Sequence, residues 1–188
     1  MNKKIIIKPG LGYLDTIFSD LCLPTIKFWK CLNFTPNQLT CLGLYSSIIS
    51  LYFICKKNVK YSIIFLIIRA YFDFIDGQFA RKYNQVTQFG DYFDHISDIF
   101  YFISMIIILS YKAKNKNLIF ILLLFGALFL AQMGCSEKIY REMTKDKTET
   151  SISRLRYLCL KSNFLNIFDN CMLYISMIYV IIKYCNEK

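Results

Sequence analysis

Five apolar runs, each near the length needed to cross a bilayer, constrain this chain more than any other feature. They are Leu39 to Cys55, Tyr61 to Phe72, Phe89 to Tyr111, Asn117 to Met133 and Ile167 to Cys185. A hydrocarbon layer about 30 Å thick takes a helix of about 20 residues. No water inside it satisfies backbone amides, so such runs must be helical. The second run continues into an acidic stretch, and the third carries acids only in its first half. The fifth is interrupted only by Asp169 and Asn170 near its start. At 55% hydrophobic, with 7 Gly and 3 Pro among 188 residues, the chain is neither disordered nor collagen-like. The expected fold class is all-α: a polytopic integral membrane bundle of five or six transmembrane helices with an N-terminal amphipathic interfacial helix. Residues 1–33 are read as the tail and interfacial helix, and residues 34–188 as the transmembrane domain. No cleavable signal peptide is expected.

The interfacial helix is read from a different pattern. Leu14, Ile17, Phe18 and Leu21 recur at helical spacing beside Asp15 and Asp20, and Pro24 interrupts. Ile26, Phe28, Trp29 and Leu32 then alternate with Lys27 and Lys30, which places Trp29 at headgroup depth. The net charge of +10 points to anionic lipid rather than nucleic acid, because the apolar residues lie in long blocks. With a cytoplasmic N-terminus and five crossings, fourteen basic residues fall on the cytoplasmic side and eight on the other, which favours that orientation. A sixth crossing within Ile152 to Phe168 is disfavoured by its basic residues. The eight Cys are scattered with no CxxC pair, so they are read as small apolar side chains in a reduced compartment. A single His excludes HExxH metalloproteases and most His-based triads.

Five of the 13 acids lie between residues 73 and 98, at the end of the second run and the start of the third. Acids inside membrane spans are costly and usually functional. Asp73 and Asp76 are three residues apart, and Asp94 and Asp98 four apart, so each pair shares a helix face. A turn between the helices would bring the two acidic faces together. Two like charges about 4 Å apart repel by about 4 kcal/mol at an effective dielectric near 20, so cations or protons must compensate. Carboxylates without His or Cys select hard ions, Mg²⁺, Mn²⁺ or Ca²⁺. Four of them suit two ions about 4 Å apart and phosphoryl chemistry. Gly77 and Ala80 leave the helix face beside Asp76 nearly bare, so a ligand can approach the backbone. Arg81 lies one turn on, ready for a phosphate.

These residues read Asp73-Phe-Ile-Asp76-Gly77-Gln-Phe-Ala80-Arg81, eight residues, then Gly90-Asp-Tyr-Phe-Asp94-His-Ile-Ser-Asp98. The stretch resembles the signature of the CDP-alcohol phosphotransferases, D-x2-D-G-x2-A-R-x8-G-x3-D-x3-D, and all eight fixed positions match. Upstream, Thr35-Pro36-Asn37-Gln38-Leu39-Thr40 looks like the segment that opens the family's first span. The resemblance implies a membrane transferase of phospholipid synthesis, with six spans as the family's usual count. It would move a substituted phosphoryl group, phosphatidyl by preference, from a CDP-linked donor to an acceptor hydroxyl and release CMP. It implies Mg²⁺ or Mn²⁺, two ions, held by Asp73, Asp76, Asp94 and Asp98. Asp98 would also serve as general base. Asp73, Asp76, Gly77, Ala80 and Arg81 would surround the CDP moiety. Family members commonly dimerise, and the active site would lie near the cytoplasmic face.

His95 after Asp94 resembles the choline and ethanolamine phosphotransferases, which use a CDP-amino alcohol and diacylglycerol. This keeps His95 as a second catalytic candidate, against the plainer reading of a hydrogen-bonded interhelical His. The short chain favours the phosphatidyltransferase branch. Arg69, one turn before Asp73, is expected to pair with it. Asp91 is read as a first-turn acid favoured by the helix dipole. Arg141, Arg154 and Arg156 are candidate contacts for an acceptor phosphate, against a solvated loop on anionic lipid. Two other classes are weighed against the transferase: a divalent-cation transporter using the same carboxylates, and a non-catalytic membrane scaffold.

Overall fold

A computed structural model describes residues 12–144, 152–159 and 167–187. The described residues form seven α-helices: α1 Tyr13–Cys22, α2 Ile26–Cys31, α3 Pro36–Cys55, α4 Val59–Lys82, α5 Gln88–Lys112, α6 Asn117–Thr144 and α7 Asn170–Cys185. There is no strand among the described residues. Local chemistry sets the helix starts. Thr35 and Gln38 form a capping box at α3, with Pro36 in the first turn. Asn58, Thr87 and Asp169 cap α4, α5 and α7 with their side chains. The turns after α2, α3 and α4 each contain a left-handed residue, Asn33, Lys57 and Asn84.

Among the described residues, three helices are long and apolar enough to cross a membrane: α3, α5 and Asn117–Ile139 of α6. The 24 residues of α4 span about 36 Å, so its length suffices. Its composition is set by Arg69, Asp73, Asp76, Arg81 and Lys82. The shorter apolar helix α7, 16 residues, reaches about 24 Å. Apolar side chains such as Tyr45, Ile48, Ile99, Ile103, Ile107, Phe120 and Leu123 face outward. Water would not tolerate so large an apolar exterior, and lipid does. The protein is therefore an all-α membrane bundle. A 3₁₀ turn, Ser153–Leu158, occupies part of the segment weighed as a sixth crossing.

The bundle holds two packed clusters. One joins Leu51, Leu66, Tyr101, Met105, Leu122, Val180 and Tyr184. The other joins Cys22, Ile26, Leu39, Phe72, Ile75 and Phe79. Ala70 belongs to the first and Phe72 to the second, so Asp73 falls on α4 where they meet.

The N-terminal segment breaks at Pro24, where a 3₁₀ turn, Leu23–Thr25, separates α1 from α2. Its polar side turns inward: Asp15, Thr16 and Ser19 are buried, while Leu21 is 71% exposed. Gln78 of α4 donates to Ser19 at 2.5 Å. Trp29 donates to the Tyr71 hydroxyl at 2.8 Å and packs edge-on to Phe72. Burial and the neighbouring Asp169 carboxylate push Asp15 up to about 6.

Two expectations are corrected. Cys135 of α6 and Cys159 after the 3₁₀ turn form a disulfide, so the Cys are not all free thiols. Their 24-residue separation carries no sequence motif, because folding alone brings α6 and the turn together. The basic stretch from Lys138 is helical as far as Thr144 rather than a loop. Lys145, Lys147 and Lys161 lie outside the described residues.

Candidate active site

Helix α3 packs against both α4 and α5 and brings their acidic faces onto one cleft. Thr40 and Gly43 line it from α3; Arg69, Asp73 and Asp76 from α4; Asp94, Ser97 and Asp98 from α5. The space between them is small, about 10 Å³, and opens to the outside. Ligand oxygens of Asp73, Asp94 and Asp98 lie within 4.8 Å of one another. Asp76 lines the same cleft, and its Oδ2 accepts a 2.6 Å hydrogen bond from Thr40. At Gly43, α3 runs close to α4, where a Cβ would just reach van der Waals contact with the Phe72 Cβ at 3.4 Å.

Arg69 is buried, and its partner is Asp98 rather than Asp73. The guanidinium also donates to the Tyr174 hydroxyl. It lies 4.9 Å from the Tyr101 ring centroid and 5.3 Å from that of Tyr174, within cation–π range of both. Asp73 receives its hydrogen bond from Asn170 of α7 instead, 2.8 Å from Nδ2 to Oδ2.

The remaining candidates sit around this centre. A Cβ on Gly77 would stand 3.3 Å from the Arg81 guanidinium, so Arg81 lies along the bare face. Ala80 is buried beside it. His95 does not line the cleft, and its Nδ1 is 2.6 Å from the Asp91 carbonyl oxygen one turn back. Asp91 is in the first turn of α5, as the dipole argument expects. Arg154 and Arg156 are on the 3₁₀ turn; the Arg141 side chain lies outside the described residues.

Thr40, Ser97, Asn170 and Tyr174 are cleft or supporting residues that sequence reasoning did not assign. Thr40 had a signal as part of the segment that opens α3, and Asn170 as a polar interruption of the fifth apolar run. Asn170 and Tyr174 are far from the motif in the chain and enter through the packing of α7 on α4.

Residues 33–183 match the CDP-alcohol phosphatidyltransferase family. The chain belongs to that family. An Aquifex aeolicus protein named CDP-diacylglycerol–glycerol-3-phosphate 3-phosphatidyltransferase is 31% identical over 161 residues, 79% of this chain and 90% of its own. A protein of that name from Wigglesworthia glossinidia brevipalpis is 40% identical over 82 residues, 40% of this chain and 45% of its own. An archaetidylinositol phosphate synthase of Pyrococcus horikoshii is 33% identical over 72 residues, 38% of each chain. No solved structure matches.

The protein is a transferase that moves a phosphatidyl group from a CDP-linked donor to an alcohol acceptor. The transporter and scaffold readings give way to it. The family uses divalent cations, and the residues present fit them. The acidic donors offer oxygens alone, they converge on one small cleft, and four carboxylates line it with a single guanidinium.

Proposed function

We propose that the donor is CDP-diacylglycerol and that Asp73, Asp76, Asp94 and Asp98 hold two Mg²⁺ or Mn²⁺ ions beneath its diphosphate. The observation that carries this is the convergence of the Asp73, Asp94 and Asp98 oxygens, with Asp76 on the same cleft. When bound, the ions neutralise the diphosphate and the departing CMP. Every other role falls to the chain. Gly77 and Ala80 leave room for the CDP moiety against α4, and Arg81 pairs with its phosphate. Asp98 takes the proton of the acceptor hydroxyl as that oxygen bonds to the phosphatidyl phosphorus and the bond to CMP breaks. Its side chain is 36% accessible in its ion pair with Arg69, so an acceptor can reach it. Arg69 pairs with that carboxylate and holds it in one orientation.

The lipid end has a place beside this centre. An apolar cavity of about 300 Å³ opens between α1, α4 and α7, lined by residues that include Phe18, Ala70, Phe74, Tyr174 and Ile178. Tyr174 belongs both to this cavity and to the Arg69 contact, so an acyl chain there keeps the headgroup near the carboxylates. For the acceptor we take glycerol 3-phosphate first, because several relatives carry it in their names. The excess of basic residues assigned to one side supports a site near the cytoplasmic face. Homodimerisation belongs to the same proposal and is read by crosslinking in native membranes.

The test is a CMP-release assay on the purified protein in detergent or lipid. It crosses CDP-diacylglycerol and CDP-amino alcohols with glycerol 3-phosphate, inositol phosphate, inositol, serine and diacylglycerol, with and without Mn²⁺. Release only from CDP-diacylglycerol plus glycerol 3-phosphate, and only with the metal, is expected. Release that needs a CDP-amino alcohol and diacylglycerol would overturn the donor assignment.

A further inference from the structure

Helices α1 and α7 cap each other. The capping position of α1 is Gly12, which has no side chain to offer. Its amides are met from the far end of the chain, where Asp169 Oδ2 accepts from the backbone N–H of Leu14 at 2.9 Å and Asp15 at 3.0 Å. Asp169 Oδ1 meanwhile accepts from Met172 of its own helix at 3.1 Å. Asp15 returns the contact, accepting from the N–H of Asn170 at 3.1 Å and Cys171 at 2.9 Å. Two buried carboxylates thus satisfy the first amides of two helices 154 residues apart. A Cβ on Gly12 would collide with the Asp169 side chain, so glycine is what lets the two helix ends meet.

The residue pinned by this crossed cap is Asn170. Its backbone is held by Asp15, and its amide Nδ2 donates to Asp73 Oδ2 at 2.8 Å. A primary amide donates at any physiological pH, and a donor on one carboxylate oxygen leaves the other to ligate. We propose that Asn170 is a positioning residue that orients Asp73 for the metal, and that the crossed caps of α1 and α7 hold Asn170 in place. The proposal rests on the reading of Asp73 as a metal ligand. Outer-shell partners of this kind change metal affinity by about 10- to 100-fold.

The experiment is a Mn²⁺ titration of the full chain in lipid nanodiscs without substrate, read from the EPR signal of free Mn²⁺. The thermal midpoint in chelator is measured beside it. Asn170→Ala is expected to weaken Mn²⁺ binding by about tenfold or more, with a wild-type midpoint in chelator. Asn170→Leu, which keeps the volume and removes the donor, should behave the same and serves if the alanine variant does not fold. Wild-type affinity in either folded variant overturns the proposal. So does an affinity loss matched by a fall in midpoint, which would make Asn170 merely structural. A wild-type chain that binds no Mn²⁺ would instead sink the metal reading of the cleft.

Discussion

Replacing Arg69 by Met separates charge compensation from packing in the cleft. The side chain is 5% accessible, and its ion-pair partner Asp98 is 36% accessible. Deleting one member of a buried pair costs about 3–5 kcal/mol, because the other charge stays behind. The partial exposure of Asp98 lets solvent screen it, which brings the expected loss to about 2–3 kcal/mol. Met keeps most of the volume between Tyr101 and Tyr174, so cavity formation adds little. For a chain of this size about 2–4 °C of midpoint follow each kcal/mol, giving a fall of about 4–12 °C. The assay is thermal unfolding of the purified variant in detergent with chelator present. Saturating Mn²⁺ should then restore much of the loss, since a bound ion contributes about 4 kcal/mol at a thousand times its Kd and supplies the missing positive charge. A variant as stable as wild type in chelator, or one that Mn²⁺ does not rescue, would refute the reasoning.

Asp76→Asn and Asp98→Asn are expected to abolish CMP release while leaving a folded membrane protein, as judged by monodisperse elution in detergent; retained turnover in both would defeat the site. Gly77→Leu should raise the KM for the CDP-linked donor at least tenfold, because its side chain fills the space beside Arg81, whereas Mn²⁺ binding should hold. Asp15 gives a pH signature. Its carboxyl is raised from 3.8 to about 6 in the folded chain, so the native state holds a proton that the unfolded chain has lost. Stability from this group is therefore greatest below about pH 4 and falls by up to about 3 kcal/mol as pH rises to about 6. Melting between pH 4 and 7 should show that slope in wild type and a flatter one in Asp15→Asn.

Hydropathy sufficed for α3, α5 and the start of α6, because each presents an unbroken apolar run to lipid. It stopped short at α4, where the run ends at Phe72 but the helix continues to Lys82 through the acids. Asp76 is buried and Asp73 lines the cleft that α3 and α5 close, and local hydropathy does not see a neighbour. The carboxylates themselves were legible, since three- and four-residue spacings fix a helix face before any packing is known. Their partners were not. Arg69 is four residues from Asp73 yet pairs with Asp98, because the cleft places Asp98 against the guanidinium and Asn170 against Asp73. The crossed cap joins residues more than 150 apart, and neither Asp15 nor Asp169 differs locally from an ordinary first-turn or capping acid. Trp29 had the pattern of an interfacial anchor, and that pattern did not reveal the Tyr71 hydroxyl that its indole N–H meets.

The EPR spectrum of the chain saturated with Mn²⁺ and CDP-diacylglycerol bears most directly on the site. Carboxylates from α4 and α5 gathered on one cleft predict two spin-coupled Mn²⁺ ions about 4 Å apart, with the coupling abolished in Asp94→Asn. A single uncoupled ion, or a coupled pair that survives in Asp94→Asn, would contradict it.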